Sequence, residues 1–231
     1  MEGRRPNGLA VVLVNCSDPD QEVDFDRWYN EVHLPDVCDP GVFPRATRFE
    51  NPQAQGGENQ PRHIAIYETD RDDPGAAWDD NRENTMSLRD QGRIHPTLKA
   101  VFVGVYKRWG GPNILSGRQT TGILVVLNGP SDLAREDEFN AWYDEVHIPD
   151  VVSTGAYHSA VRYVNTNKDT GQPKYLAIYE TDASEPLGQL AVLQDRMKEI
   201  RAERIDCIQS GLMMPYGMTY STVSGEVSVR T

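Results

Sequence analysis

Three cysteines in 231 residues are too few, and odd in number, for a disulfide framework. Cys16, Cys38 and Cys207 fall in no CxxC or Cys/His spacing, so structural zinc is not expected either. Long apolar runs are missing, which excludes a spanning helix. The N-terminus, Met1 to Pro6, leads straight into a strand without the apolar core of a signal peptide. Positive charge is scarce: 23 Lys and Arg face 35 Asp and Glu, a net charge of -12. That balance argues against nucleic-acid partners, which need clustered cations, and against anionic membranes. No Gly-rich phosphate-binding loop is present. The expectation is a cytoplasmic protein with a small-molecule partner and neither metal nor cofactor.

What the chain does have, it has twice. Gly8–Val37 aligns with Gly122–Val151 at an offset of 114 residues without a gap, and 16 of the 30 positions are identical. The match is densest where Trp28-Tyr29-Asn30-Glu31-Val32-His33-Leu34-Pro35-Asp36-Val37 meets Trp142-Tyr143-Asp144-Glu145-Val146-His147-Ile148-Pro149-Asp150-Val151. Ala65–Asp70 recurs as Ala177–Asp182. A repeat of this length describes one folding unit used twice. The expected division is a first repeat over 1–109, a linker over 110–120 and a second repeat over 121–231.

Each half predicts the same order of elements. In the first, Val-rich Leu9–Asn15 reads as a buried strand. A helix follows over Glu22–Cys38, with Phe25, Trp28, Tyr29 and Val32 at helical spacing. Phe43–Glu50 and Arg62–Thr69 are strands, Pro74 opens a second, weakly amphipathic helix to about Gln91, and Leu98–Trp109 is the fourth strand. In the second half, strands are expected near Ile123–Asn128, Tyr157–Asn165, Lys174–Thr181 and Cys207–Tyr220. Helices are expected near Arg135–Val152 and, capped by Ser184, Glu185–Ala202. Strand–helix–strand–strand–helix–strand is the ferredoxin-like unit of the α+β class. Its helices cover one face of the sheet, so two copies can pack their bare faces together and close an intrachain α+β barrel. Such a self-contained pseudo-dimer leaves further homodimerisation open.

Positions four apart share a helix face, which aligns Tyr29 with His33 and Tyr143 with His147. Pro35 removes an N–H and clashes with the carbonyl of Glu31, so the helix should loosen near His33, and the freed carbonyl or Asp36 could orient the ring. Asp150 stands likewise to His147. An imidazole near pKa 6.5 can give and take a proton at neutrality, which makes His33 and His147 candidate acid/base groups and Tyr29 and Tyr143 candidate donors. The plain alternative is a histidine closing a helix turn. Period two places His63 with Tyr67, and Tyr175 with Tyr179, on one strand face, where they could meet those histidines across a pocket. They could equally be core residues. Arg48 and Arg162 match between copies, as do Trp28 and Trp142, while Phe43-Pro44 becomes Tyr157-His158. These residues complete the candidate binding set. Cys38 stands near the first pocket, and Met213, Met214 and Met218 would suit a flat apolar ligand in the second.

The twin Trp-Tyr-x-Glu-Val-His-(Leu/Ile)-Pro-Asp-Val segments, each followed by Ala-Ile-Tyr-Glu-Thr-Asp on a strand, resemble the dimeric α+β barrel superfamily, within it the EthD-like branch. That superfamily includes muconolactone-type isomerases, polyketide cyclases, cofactor-independent monooxygenases and haem enzymes. The resemblance implies a pocket between helices and sheet in each half, with His33 and His147 as acid/base candidates. No haem-binding pattern accompanies it. The activity it suggests is a cofactor-independent lyase, isomerase or cyclase acting on an apolar or aromatic carbonyl compound. A cofactor-independent monooxygenase and a non-catalytic ligand-binding protein are the alternatives.

Overall fold

The computed structural model describes residues 2–57, 61–130, 132–167, 172–203 and 216–228, the last stretch and 201–203 by backbone alone. Met213, Met214 and Cys207, and with them the start of the expected last strand, lie outside the described residues. The chain divides into two compact units. The first comprises residues 5–108 with 222–228, the second residues 2–4 with 109–221.

The first unit runs β1 (Gly8–Cys16), α1 (Glu22–Trp28), a π-helical turn (Tyr29–His33), α2 (Leu34–Cys38), β2 (Arg45–Glu50), β3 (His63–Thr69), α3 (Pro74–Asp90) and β4 (Leu98–Arg108). Its sheet is antiparallel in the order β2-β3-β1-β4. The second unit runs β5 (Gly122–Asn128), α4 (Glu136–Trp142), a π-helical turn (Tyr143–His147), α5 (Ile148–Ser153), β6 (Ser159–Asn165), β7 (Tyr175–Thr181) and α6 (Gln189–Glu203). The Tyr216–Ser221 part of β8 (Tyr216–Ser228) completes the order β6-β7-β5-β8. Both units are ferredoxin-like α+β folds.

The break in the long helix comes where the prolines place it. Pro35 and Pro149 cannot donate to the carbonyl four residues back, so the backbone widens by one residue. The Leu34 amide donates to the Tyr29 carbonyl, and the Ile148 amide to that of Tyr143, five residues earlier in each case. The wider turn re-aims the side chains from Tyr29 to His33. α3 starts where Asp73 caps it, accepting from the Ala76 amide at 3.0 Å, with Pro74 in the first turn. Gly8 holds that start close to β1, because a Cβ there would lie 2.1 Å from Pro74 Cγ. α6 departs from expectation. Pro186 opens a short 3-10 turn (Pro186–Gly188) ahead of it, and the preceding cap position falls on Glu185, not Ser184. The 110–120 segment is not a free tether, since Ile114 and Ala160 exchange both backbone hydrogen bonds, at 3.0 and 2.8 Å.

The helix-side core of the first unit gathers Ala10, Val14, Phe25, Tyr29, Leu34, Val37, Phe43, Ala65 and Tyr67. That of the second gathers Leu124, Phe139, Tyr143, Ile148, Val151, Tyr157, Tyr179, Leu193 and Met197. Among the described residues no helix is long and apolar enough to cross a membrane.

Candidate functional site

In the first unit a cavity of about 520 Å³ opens between helices and sheet. Tyr29, His33 and Val37, the expected line along the first helix, reach it from one side, and Val12, Val14 and Tyr67 form its floor. Trp78, Asn81, Arg82, Thr85, Met86 and Arg89 of α3 cover it, and Ala100 and Val103 of β4 also line it. The β1–β4 register slips between Leu13 and Val14, beside this floor, as bulges beside binding sites commonly do.

His33 is 7% exposed and stacked on Trp28 with ring centres 4.7 Å apart, while Tyr29 meets it edge-on at 4.8 Å. Its Nδ1 is buried without a hydrogen bond among the described residues, so neither the loosened helix carbonyl nor Asp36 orients the ring; stacking does. Asp36 is instead bound by both ends of the Arg93 guanidinium, at 2.8 and 2.7 Å, and the Arg93 carbonyl accepts from Trp28 Nε1 at 2.8 Å. Asp36 thus pins the segment after α3 to the first helix. Burial, helped by Arg48 and opposed by Asp36, lowers the His33 pKa to about 4, so the ring is neutral at physiological pH. The Tyr29 and Tyr67 hydroxyls lie 3.4 Å apart. Burial raises both their pKa values, which keeps both as hydroxyl donors. Burial also pushes Cys38 up to about 12, leaving an unreactive thiol that does not line the cavity.

Arg48 lies behind this wall rather than in it. Its guanidinium is fully buried, 4.6 Å from the centre of the Tyr29 ring, and donates to Asp26 at 2.5 Å and Asn30 at 3.3 Å. His63 shares that second layer and does not meet His33. Its Nε2 lies 2.6 Å from Glu22 Oε1. Burial first, then Arg48 and Arg62, lower its pKa to about 2, so the neutral ring donates to the carboxylate. Glu22, Asp26 and His63 bring three potential ligand atoms within 4.8 Å of one another. Arg48 at 2.5 Å from Asp26 and Arg62 at 3.4 Å from Glu22 already balance both carboxylates, which leaves no surplus negative charge for a cation.

The second unit repeats the frame with different contents. Trp142 stacks on half-buried His147 at 4.9 Å, and Arg162 lies 4.3 Å from the Tyr143 ring centre. Here the Tyr143 and Tyr179 hydroxyls bond at 2.8 Å, and Asn128 Nδ2 donates to Tyr143 at 3.1 Å. Arg162 donates to Asp144 at 2.5 Å and Asn140 at 2.7 Å, a layout in which carboxylate and amide have traded places relative to Asp26 and Asn30. Tyr175 takes the place of His63, with its hydroxyl 2.8 Å from Glu136 and from Asn140. His158 is tied to Ser116 and Ser159 at 2.7 and 2.9 Å, on the 110–120 segment and β6. Asp150 is buried in α5, where its carbonyl accepts from Ser153. Sequence reasoning missed Asn81, Arg82 and Arg89 as cavity residues, although they recur at helical spacing with Trp78.

Haem enzymes occur in the superfamily that the repeated motif resembles, and His33 is the imidazole nearest to such a role. A haem-ligating histidine normally rests its other ring nitrogen on an acceptor, whereas Nδ1 of His33 is buried with none among the described residues. The site as it stands does not fit that ligation.

No family model matches the chain. A core atranone cluster protein from Stachybotrys chlorohalonatus is 41% identical over 59 residues, 25% of each chain, so this chain's match spans a quarter of that relative. Three solved structures are similar over nearly the whole chain. A chlorite dismutase variant from Candidatus Nitrospira defluvii has a TM-score of 0.58 at 9% identity, covering 95% of this chain and 94% of that one. An anthrone oxidase-like protein has 0.53 at 10%, covering 97% and 94%. A candidate monooxygenase from Lactobacillus acidophilus has 0.52 at 11%, covering 98% and 100%. At these identities the likeness is one of fold, and it places the chain among ferredoxin-like α+β proteins.

Proposed function

We propose that the protein is a cofactor-independent acid/base enzyme of the EthD-like kind, a lyase, isomerase or cyclase acting on a small apolar or aromatic carbonyl compound. The working site is the first-unit cavity, and His33 is its base. One observation carries this reading: a neutral imidazole and two tyrosines, whose hydroxyls have no third partner among the described residues, line the same cavity of about 520 Å³. The ring accepts a proton from the carbon beside a carbonyl, the C–H electron pair moves into an enolate, and Tyr29 or Tyr67 donates to the enolate oxygen. Return of the proton to a different carbon completes an isomerisation with no net redox change. A base of pKa about 4 requires an acidic C–H, such as that between two carbonyls. The enolate formed beside the imidazolium offsets the cost of charging a buried ring. The partial likeness to a core atranone cluster protein supports a small-molecule setting.

The test is deuterium wash-in from heavy water into aromatic 1,3-dicarbonyl compounds, followed by NMR. His33→Ala should slow exchange by about 10²–10⁴-fold, the usual worth of a positioned base, and His147→Ala should leave it within about twofold. Full exchange in His33→Ala removes His33 as the base. An oxygen electrode run on the same compounds separates the monooxygenase alternative, which consumes oxygen at each turnover.

A further inference from the structure

The face that α3 turns to the cavity is Trp78, Asn81, Arg82, Thr85, Met86 and Arg89, spaced by three and four residues. A helix face laid over a filled core is apolar, as Leu190, Leu193, Met197 and Ile200 of α6 are. The α3 face instead carries two guanidiniums and an amide. Arg82 and Arg89 are exposed while lining the cavity, so they stand at its solvent end. In a chain of net charge -12, neither has an ion-pair partner among the described residues. Asn81 is only 2% exposed, and its Oδ1 has no hydrogen-bond partner among the described residues.

We infer that the first-unit cavity takes an elongated apolar compound carrying a carboxylate, with the carboxylate held by Arg82 and Arg89 and the carbonyl end against Tyr29, Tyr67 and His33. The inference deepens the acid/base reading above by naming the substrate class. Two turns of helix separate the arginines by about 10 Å along the axis, a span that two long side chains close onto one group. Guanidinium is the side chain best matched to a carboxylate. Among the described residues the deep end offers no cation of its own, because Arg48 stands behind the Tyr29 ring on Asp26. A charged group therefore belongs at the mouth, the apolar body among Val12, Val14 and Trp78, and a polar substituent of the ligand can use the Asn81 amide.

Trp28 and Trp78 flank the site, so intrinsic fluorescence reports binding without turnover. The full-length protein should bind 2-naphthoate about tenfold more tightly than 2-naphthamide at low salt, and the preference should shrink as salt screens it. In an Arg82→Gln/Arg89→Gln double variant the two probes should bind alike, with the amide within about twofold of its original affinity. His33→Ala should keep the preference for the acid, so the substrate class and the catalytic base fail separately. Equal binding of acid and amide by the native protein, no binding of the acid, or a preference that survives the double variant would each overturn the inference.

Discussion

The two units break the same helix at the same place and stack the same histidine on the same tryptophan, yet they hold different things beneath it. In the second, Asn128 donates to Tyr143, the hydroxyl pair closes to 2.8 Å, and Leu193 and Met197 join the aromatic core. In the first, Val14 stands where Asn128 does, the pair relaxes to 3.4 Å, and a cavity lies under a polar helix face. The repeated motif is therefore a frame. The copies differ most beneath it at two places: Val14 against Asn128, and the polar α3 stripe against the apolar one of α6.

The largest effect is expected behind the frame, where the comparison can be broken by moving one charge. Asp26→Asn removes the carboxylate that holds buried Arg48 and should cost about 3–5 kcal/mol in urea unfolding. Adding Asn30→Asp gives the first unit the layout of Asn140 and Asp144 and should recover most of that loss. A double variant as unstable as the single one would show that the two arginine sites are not interchangeable.

Acid should separate the units next. The unfolded chain protonates His33 below about pH 6.5, whereas the folded chain waits until about 4. Between those values the unfolded state binds more protons, so stability is lost as pH falls through that window, by up to roughly 3 kcal/mol. His63, lowered to about 2, adds its own loss over the same window and extends it further down, and the second unit has Tyr175 in its place. Hydrogen exchange compared at neutral pH and at mild acid should show the first unit losing more protection than the second. His33→Gln should reduce the difference by about half, since His63 contributes over the same window. Equal loss in both units would contradict the neutral, buried state of the first-unit imidazoles.

Much of this architecture is legible in the sequence because it is enforced locally. Two prolines set the helix break, and alternation and helical spacing set the strands and the Tyr29–His33–Val37 line. The misreadings concern distance and partners. His63 and Tyr67 do share a strand face, but four residues span about 13 Å, so His33 can reach one of them and not both. Asp36 looked available to His33, but Arg93, 57 residues later, binds it. The α3 stripe is not legible as a site because polar residues at helical spacing look like a solvent face. Only the cavity beneath them shows otherwise.

The smallest effect is the sharpest test of the comparison. Val14→Asn copies the second unit into the first at a single position on the cavity floor. The new amide should donate to the Tyr29 oxygen as Asn128 does to that of Tyr143, drawing the Tyr29 hydroxyl off its place beside the enolate and filling part of the cavity. Folding should survive, because the second unit already accommodates the group, while deuterium exchange should slow by about tenfold, roughly 1.4 kcal/mol of lost transition-state stabilisation. The stacking of Trp28 on His33 should be unchanged, so a loss of exchange would point to the tyrosine pair and not to the base. If Val14→Asn exchanged as fast as the native protein, the Tyr29 hydroxyl would not be the group that holds the enolate.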